Sequence, residues 1–273
     1  VPDLPLAPDL VARYHRDGYL FPLSALDPAE AADARARIET FERAQGRPID
    51  KEQRHKPHLF MSFLDRLIRS PRVLDPVAAV IGPDILCWET ALFIKEAGDP
   101  AFISWHQDAT YWGLEPFEVV TAWIALSPST PLSGCMRVVA GSHLGEVVPH
   151  VDTFAPDNML SRGQEVAVAV AEEDAVDIAL APGEMSLHHV KIVHGSEPNR
   201  SADRRLGFAI RYIPTHVRQV AGNEDCAMLV LGEDRHGHFR PDPRPDGDFT
   251  PAGFAAHRAA RETRMRILMR PQR

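Results

Sequence analysis

Ser104-Trp105-His106-Gln107-Asp108 is the stretch on which the fold turns. It closes the apolar run Phe102-Ile103 with an imidazole and a carboxylate two positions apart. Side chains at i and i+2 of an extended backbone project from one face, so His106 and Asp108 can address one ion. A lone His-x-Asp is a common solvated pair. The triplet gains weight from Val193-His194-Gly195-Ser196, and from Arg205 eleven residues past that histidine. Both sites lie in a region punctuated like short strands, and that sets the reading of what surrounds them.

Outward from this stretch the pattern is β. Ile85–Lys95 is a β-rich run, Gly98-Asp99-Pro100 a turn, and Val119–Ser127 alternates, with Thr121, Trp123 and Ala125 on one face. Met136–Val139, Ala167–Val170, Asp177–Leu180, Met185–Val190 and Leu206–Ile213 read as further strands, and 150–164 as a long polar loop without structure of its own. Before residue 85 the pattern is helical. A helix over 8–17 stops at Gly18, and Tyr19-Leu20-Phe21 follows as a strand. Asp27-Pro28-x-Glu30 starts a helix that Gly46 ends. Residues 59–69 and 72–81 are two short helices, and a basic helix over about 252–269 closes the chain. Helices first and then many short strands predict a mainly β fold with flanking helices. Its core is a double-stranded β-helix, a cupin-like jelly roll over about 85–216. We expect one domain over 1–273, with N-terminal helices at 8–81 and a C-terminal extension at 217–273.

Composition excludes several classes. With 30 basic and 38 acidic residues the net charge is -8, against nucleic acid or an anionic membrane as partner. Cys87, Cys135 and Cys226 are odd in number and widely spaced, so no disulfide framework or zinc knuckle follows. We expect a cytoplasmic setting, a small-molecule substrate, and neither a membrane span nor a signal peptide. The sequence does not speak to oligomeric state.

Two imidazoles and one carboxylate on one side of an ion, with the other positions open, is the arrangement of non-haem iron(II) oxygenases. Of 13 histidines, His188 and His189 compete with His194. His194 is favoured because it closes an apolar strand, is followed at once by a Gly-Ser turn, and precedes an alternating strand. On that strand Arg205, Gly207, Ala209 and Arg211 share one face; Leu206, Phe208, Ile210 and Tyr212 share the other. Two arginines and two tiny residues make a poor core face and a good chamber wall. Two other readings stay open on the residues alone: a jelly-roll metal-binding sensor or isomerase, and a zinc hydrolase.

Taken together, His106-Gln107-Asp108, Ala122-Trp123, Ser133-Gly134-Cys135, Gly141-Ser142-His143, Pro182-Gly183-Glu184 and His194-Gly195-Ser196…Asn199…Arg205 resemble the phytanoyl-CoA dioxygenase family. The resemblance covers roughly residues 10–216 in order, departing at Ala140 where the family usually has proline. It implies an iron(II) hydroxylase that uses 2-oxoglutarate and O2 and releases succinate and CO2. It implies His106, Asp108 and His194 as iron ligands. Arg205, helped by Ser196, becomes the partner of the distal 2-oxoglutarate carboxylate, with Gln107 and Trp123 near the cosubstrate. Related halogenases carry a small residue where Asp108 stands, which argues against halogenation.

For the substrate, Arg211, Lys56 and His58 are the candidates, and they point to a small anionic or zwitterionic metabolite: an amino acid, an aminophosphonate or a natural-product intermediate. A carrier-tethered substrate is the alternative, with the terminal basic helix (His257, Arg258, Arg261, Arg264, Arg266) either docking the carrier or forming a solvated face. At ~3.3 Å per residue, Arg205 and Arg211 stand about 20 Å apart along the strand. Their side chains must therefore converge if both serve one site.

Overall fold

Gly18 and Gly46 end the first two helices because each takes a left-handed conformation, at φ 82° and 70°. The computed structural model describes residues 6–170, 172–222 and 224–268. It opens with α1 (Pro8–Asp17), β1 (Tyr19–Ser24) and α2 (Pro28–Gln45). The start of α2 is held by Glu30, whose Oε2 accepts from the Asp27 N–H at 2.7 Å. A 3-10 turn over Pro57–Leu59 and helices α3 (Ser62–Leu67) and α4 (Pro71–Ile81) follow, covering the segment expected to hold two short helices.

The strands then run as β2 (Ile85–Lys95), β3 (Ile103–His106), the short α5 (Ala109–Trp112), β4 (Leu114–Glu115), β5 (Val120–Ala125) and β6 (Met136–Val139). Next come β7 (His150–Asp152), β8 (Gln164–Val166), β9 (Ala175–Ile178), β10 (Glu184–His189), β11 (His194–Ser196) and β12 (Arg205–Pro214). The chain ends with β13 (Arg218–Gln219), β14 (Cys226–Leu231), β15 (Arg240–Pro241) and α6 (Pro251–Leu268). A seven-stranded sheet has the order β1-β10-β5-β12-β2-β14-β15, and a four-stranded one the order β3-β11-β6-β9. The fold is the expected jelly roll.

The central strands are buried on both faces, because each face of the large sheet has its own partner layer. Leu92, Ile94, Ala122, Ile124, Leu206, Phe208 and Ile210 belong to a core shared with helical residues Ile38, Leu64 and Leu74. Trp123, Ala125 and Ala209, on the other face, pack with Met136, Val138 and Ile178 of the small sheet. His106, Asp108 and His194 line a cavity together with Trp123, Met136 and Ala209 of this second, inter-sheet layer.

Two expectations are corrected. Residues 150–164 are not structureless: β7 and β8 pair antiparallel as the legs of a hairpin, His150 opposite Val166. The strand expected over 167–170 falls instead at Gln164–Val166. Ala167 N–H still donates to Pro149, at 2.8 Å, but Pro149 has no N–H with which to extend the ladder, and Val168 is left exposed. Cys87, Cys135 and Cys226 are free and buried. Among the described residues no helix is long and apolar enough to cross a membrane.

Candidate metal centre and active site

β3 and β11 lie side by side, with His194 opposite His106 in the ladder. Each imidazole is oriented by the same local device. His106 Nδ1 lies 2.9 Å from the carbonyl of Ser104, and His194 Nδ1 lies 3.0 Å from that of Ile192. An Nδ1–H donated to a carbonyl leaves Nε2 as the free acceptor, the tautomer that a metal needs. The chain leaves β3 at Asp108, whose carboxylate returns to within 3.4 Å of His106 Nε2 and 4.0 Å of His194 Nε2. One ligand atom from each of the three residues lies within 4.8 Å of the others, and all three side chains are buried.

Burial pushes the Asp108 carboxyl up, but His106, His194 and Arg211 outweigh it and hold the group below the usual carboxylate range. Burial drives His194 down to about 4, to the neutral form that can ligate. A buried carboxylate with two such imidazoles fits a divalent ion, with a face left open for other ligands. His188 is not part of this set. Its ring centroid lies 5.2 Å from that of His194 on the cavity wall.

The far end of the site is built on β12 and β5. Arg205 is 2% exposed, donates to the carbonyl of Gly134, and keeps a buried Nε without a hydrogen-bond partner among the described residues. Its guanidinium carbon sits 5.4 Å from the centroid of the Trp123 ring. Burial lowers its pKa to about 10, so it stays charged at neutral pH. A charged fork left with a free donor in a buried pocket suits a carboxylate. Ser196 lines the same cavity, its Oγ accepting from Lys95 Nζ at 2.7 Å.

Arg205 and Arg211 do converge. Both line one cavity together with His106, Asp108 and His194. Ala209 between them leaves room, whereas the place beside Gly207 is filled by the Trp123 ring. Arg211 is buried, with its guanidinium 5.2 Å from the Trp112 ring and 5.6 Å from the Phe93 ring, and its Nε and Nη1 have no hydrogen-bond partner among the described residues.

Three residues expected at the site lie elsewhere. The Gln107 side chain points away from its neighbours His106 and Asp108, donating to Lys191 O at 2.7 Å and accepting from Val148 N at 2.8 Å. It braces the loops behind the centre. Lys56 Nζ is held by Asp242 at 2.5 Å and the Cys226 carbonyl at 2.8 Å. His58 Nδ1 faces Thr90 Oγ1 at 2.7 Å. Neither lines the cavity, so the substrate role given to both is withdrawn. Both are internal ties of the N-terminal segment.

The sequence alone does not single out Lys95, Thr121 or Leu160. Thr121 shares the face read for Trp123, and the structure turns that face to the cavity. Leu160 reaches the cavity from the tip of the β7–β8 hairpin, which is tied to β3: Asn158 Nδ2 donates to Ser104 Oγ at 2.8 Å, and Met159 N to Phe102 O at 2.9 Å. Lys95 is the cross-strand partner of Arg205. No signal short of the strand pairing identifies it.

Comparison with known proteins agrees with this geometry. The family model "Phytanoyl-CoA dioxygenase (PhyH)" matches residues 14–207. A probable alpha-ketoglutarate-dependent hypophosphite dioxygenase of Stutzerimonas stutzeri is 30% identical over 177 residues, 63% of this chain and 60% of that protein. The chain thus matches about three fifths of that relative's length. The L-proline trans-4-hydroxylase of Streptomyces griseoviridis is 28% identical over 231 residues, 75% of this chain and 85% of that one. Among solved structures, the apo form of the non-heme monooxygenase ThoJ is 38% identical with a TM-score of 0.84, covering 94% of this chain and 98% of that one. The chain belongs to the phytanoyl-CoA dioxygenase family of iron(II)- and 2-oxoglutarate-dependent oxygenases.

Proposed function

We propose that this protein hydroxylates an unactivated C–H bond of a small anionic or zwitterionic metabolite. The observation that carries the reading is the pair of buried arginines lining one cavity with His106, Asp108 and His194. Arg205 and Arg211 both line it, and each keeps unpartnered guanidinium nitrogen. Buried guanidinium nitrogens left unsatisfied are costly, so two such arginines in one chamber call for two anions. One is the distal carboxylate of 2-oxoglutarate and the other belongs to the substrate.

His106, Asp108 and His194 hold the iron. Arg205 takes the cosubstrate carboxylate, Ser196 adds its hydroxyl, and Trp123 forms the floor beneath the guanidinium. When bound, iron(II) and 2-oxoglutarate supply the oxidising chemistry, activating O2 with release of succinate and CO2. Arg211 orients the substrate by its anionic group, and Phe93, Ile103, Met136 and Leu160 keep the chamber apolar and limit water. Hypophosphite and proline, which the two relatives' names give as substrates, are both small and charged.

Arg211→Met tests this by preserving bulk and removing charge. Succinate formation is followed with a panel of small acids that includes L-proline and hypophosphite. The variant is expected to retain substrate-independent 2-oxoglutarate turnover and to lose substrate-stimulated turnover by about 30-fold or more, as for one side of a buried charged pair. Unchanged substrate kinetics would remove Arg211 from the reading.

A further inference from the structure

Arg211 has a carboxylate beside it and yet is free. Its cross-strand partner on β2 is Glu89, and side chains of paired residues share a face. Glu89 is buried, and such a carboxylate would ordinarily take the neighbouring arginine and close the anion site. Its oxygens lie against other residues: Oε2 forms an ion pair without hydrogen-bond geometry, and Oε1 makes no hydrogen bond among the described residues. Oε2 lies 3.1 Å from Arg264 Nε, and Oε1 lies 3.5 Å from His55 Nδ1. Burial drives His55 down to about 4, so at neutral pH that imidazole carries no charge. Arg264 is therefore the cation that neutralises Glu89. It comes from α6, whose residues 251–268 lie outside the stretch matched to the family, 14–207, as Arg211 itself does. The sequence-based reading of the terminal helix as a carrier dock or a solvated face is thus corrected at two positions: Arg264 points inward and His257 donates toward His55 O at 2.8 Å, whereas Arg261 forms a surface pair with Glu52.

We infer that Arg264 is a positioning residue that sets the charge of the substrate chamber: by occupying Glu89 it leaves Arg211 unpaired and available to an anionic substrate group. This rests on Arg211 being the anion holder. Without Arg264, the Glu89 carboxylate is left buried and uncompensated one strand away from Arg211, and pairing the two is the cheapest remedy. The anion site then closes although no residue lining the cavity has changed.

The test is an anaerobic calorimetric titration of hypophosphite, as a probe anion, into enzyme loaded with iron(II) and 2-oxoglutarate. Arg264→Gln is expected to weaken the probe by about tenfold or more, the lower end for a lost charged partner. Arg264→Lys keeps the charge and should bind nearly as the wild type does. The decisive arm is Arg264→Gln with Glu89→Gln, which removes the competing carboxylate and should restore binding to the level of Glu89→Gln alone. A merely structural role for Arg264 predicts no such rescue. A double variant that stays weak, or an Arg264→Gln enzyme that binds like the wild type, overturns the inference. If Arg264→Gln does not fold, comparing the double variant with Glu89→Gln alone decides. If the wild type does not bind the probe, or Arg211→Met binds it equally well, the Arg211 reading fails and this inference with it.

Discussion

Gly207 has no side chain because Trp123 occupies the place of one. A Cβ there would lie 1.9 Å from Trp123 Cζ2. Gly207→Ala must therefore push the ring from beneath Arg205. With overpacking worth about 1–3 kcal/mol, 2-oxoglutarate affinity should fall roughly 5- to 150-fold while iron still binds, and a cosubstrate titration checks this. Lys95 gives a second expectation. Burial, with Arg205 nearby, lowers its pKa to about 6, so without cosubstrate it is neutral at pH 7.5. The carboxylate drawn in by Arg205 favours the ammonium and raises that value. Binding should then take up a proton, and affinity should fall as pH rises from about 6 through the raised value. Binding heats in buffers of different ionisation enthalpy measure the uptake; no dependence on buffer would contradict it. The alternation Arg205-Gly207-Ala209-Arg211 is readable because it departs from core chemistry on one face only. Lys56 is misleading in sequence because its carboxylate partner, Asp242, lies 186 positions away, and nothing local announces it.

At the scale of elements, the β7–β8 hairpin is held to the site by contacts with β3. Ser104 Oγ donates to Gln164 O at 2.6 Å and accepts from Asn158 at 2.8 Å, so one hydroxyl fastens both the tip and a leg of the hairpin to the metal-bearing strand. Asn158→Ala should cost about 1 kcal/mol of local stability, roughly fivefold in hydrogen-exchange protection over 153–163. With Leu160 loosened, more 2-oxoglutarate should be consumed in the absence of substrate. Unchanged exchange in that segment would show that the clasp does not hold it. α1 and β2 have the bounds expected from sequence, Pro8–Asp17 and Ile85–Lys95, because Pro and Gly mark their ends. The hairpin has no such marks. Its strands are three residues each, too short for periodicity, and contacts with distant segments fix them.

For the whole molecule, the jelly roll matters because its small sheet puts β3 beside β11 and so joins residues 106 and 194. The cluster of His106, Asp108 and His194 is legible from spacing and family motif. The strand order is not, since it depends on which apolar faces meet, and the return of α6 to Glu89 leaves no local trace. A metal that binds only the folded state stabilises it, by about 2.7 kcal/mol at a free concentration 100 times its dissociation constant. Removing the metal should therefore lower the melting temperature of the wild type and of His188→Ala, but not of His194→Ala; a metal-dependent shift in His194→Ala would mean that the wrong histidine is assigned. The most direct test of the site as a whole is an anaerobic titration of the protein with iron(II) and 2-oxoglutarate, following the visible charge-transfer absorption of a chelated 2-oxo acid. One equivalent of each should produce the band in the wild type, His194→Ala should not form it, and Arg205→Met should form it only at much higher 2-oxoglutarate. A band of wild-type strength and cosubstrate dependence in either variant would contradict the assignment of His106, Asp108, His194 and Arg205.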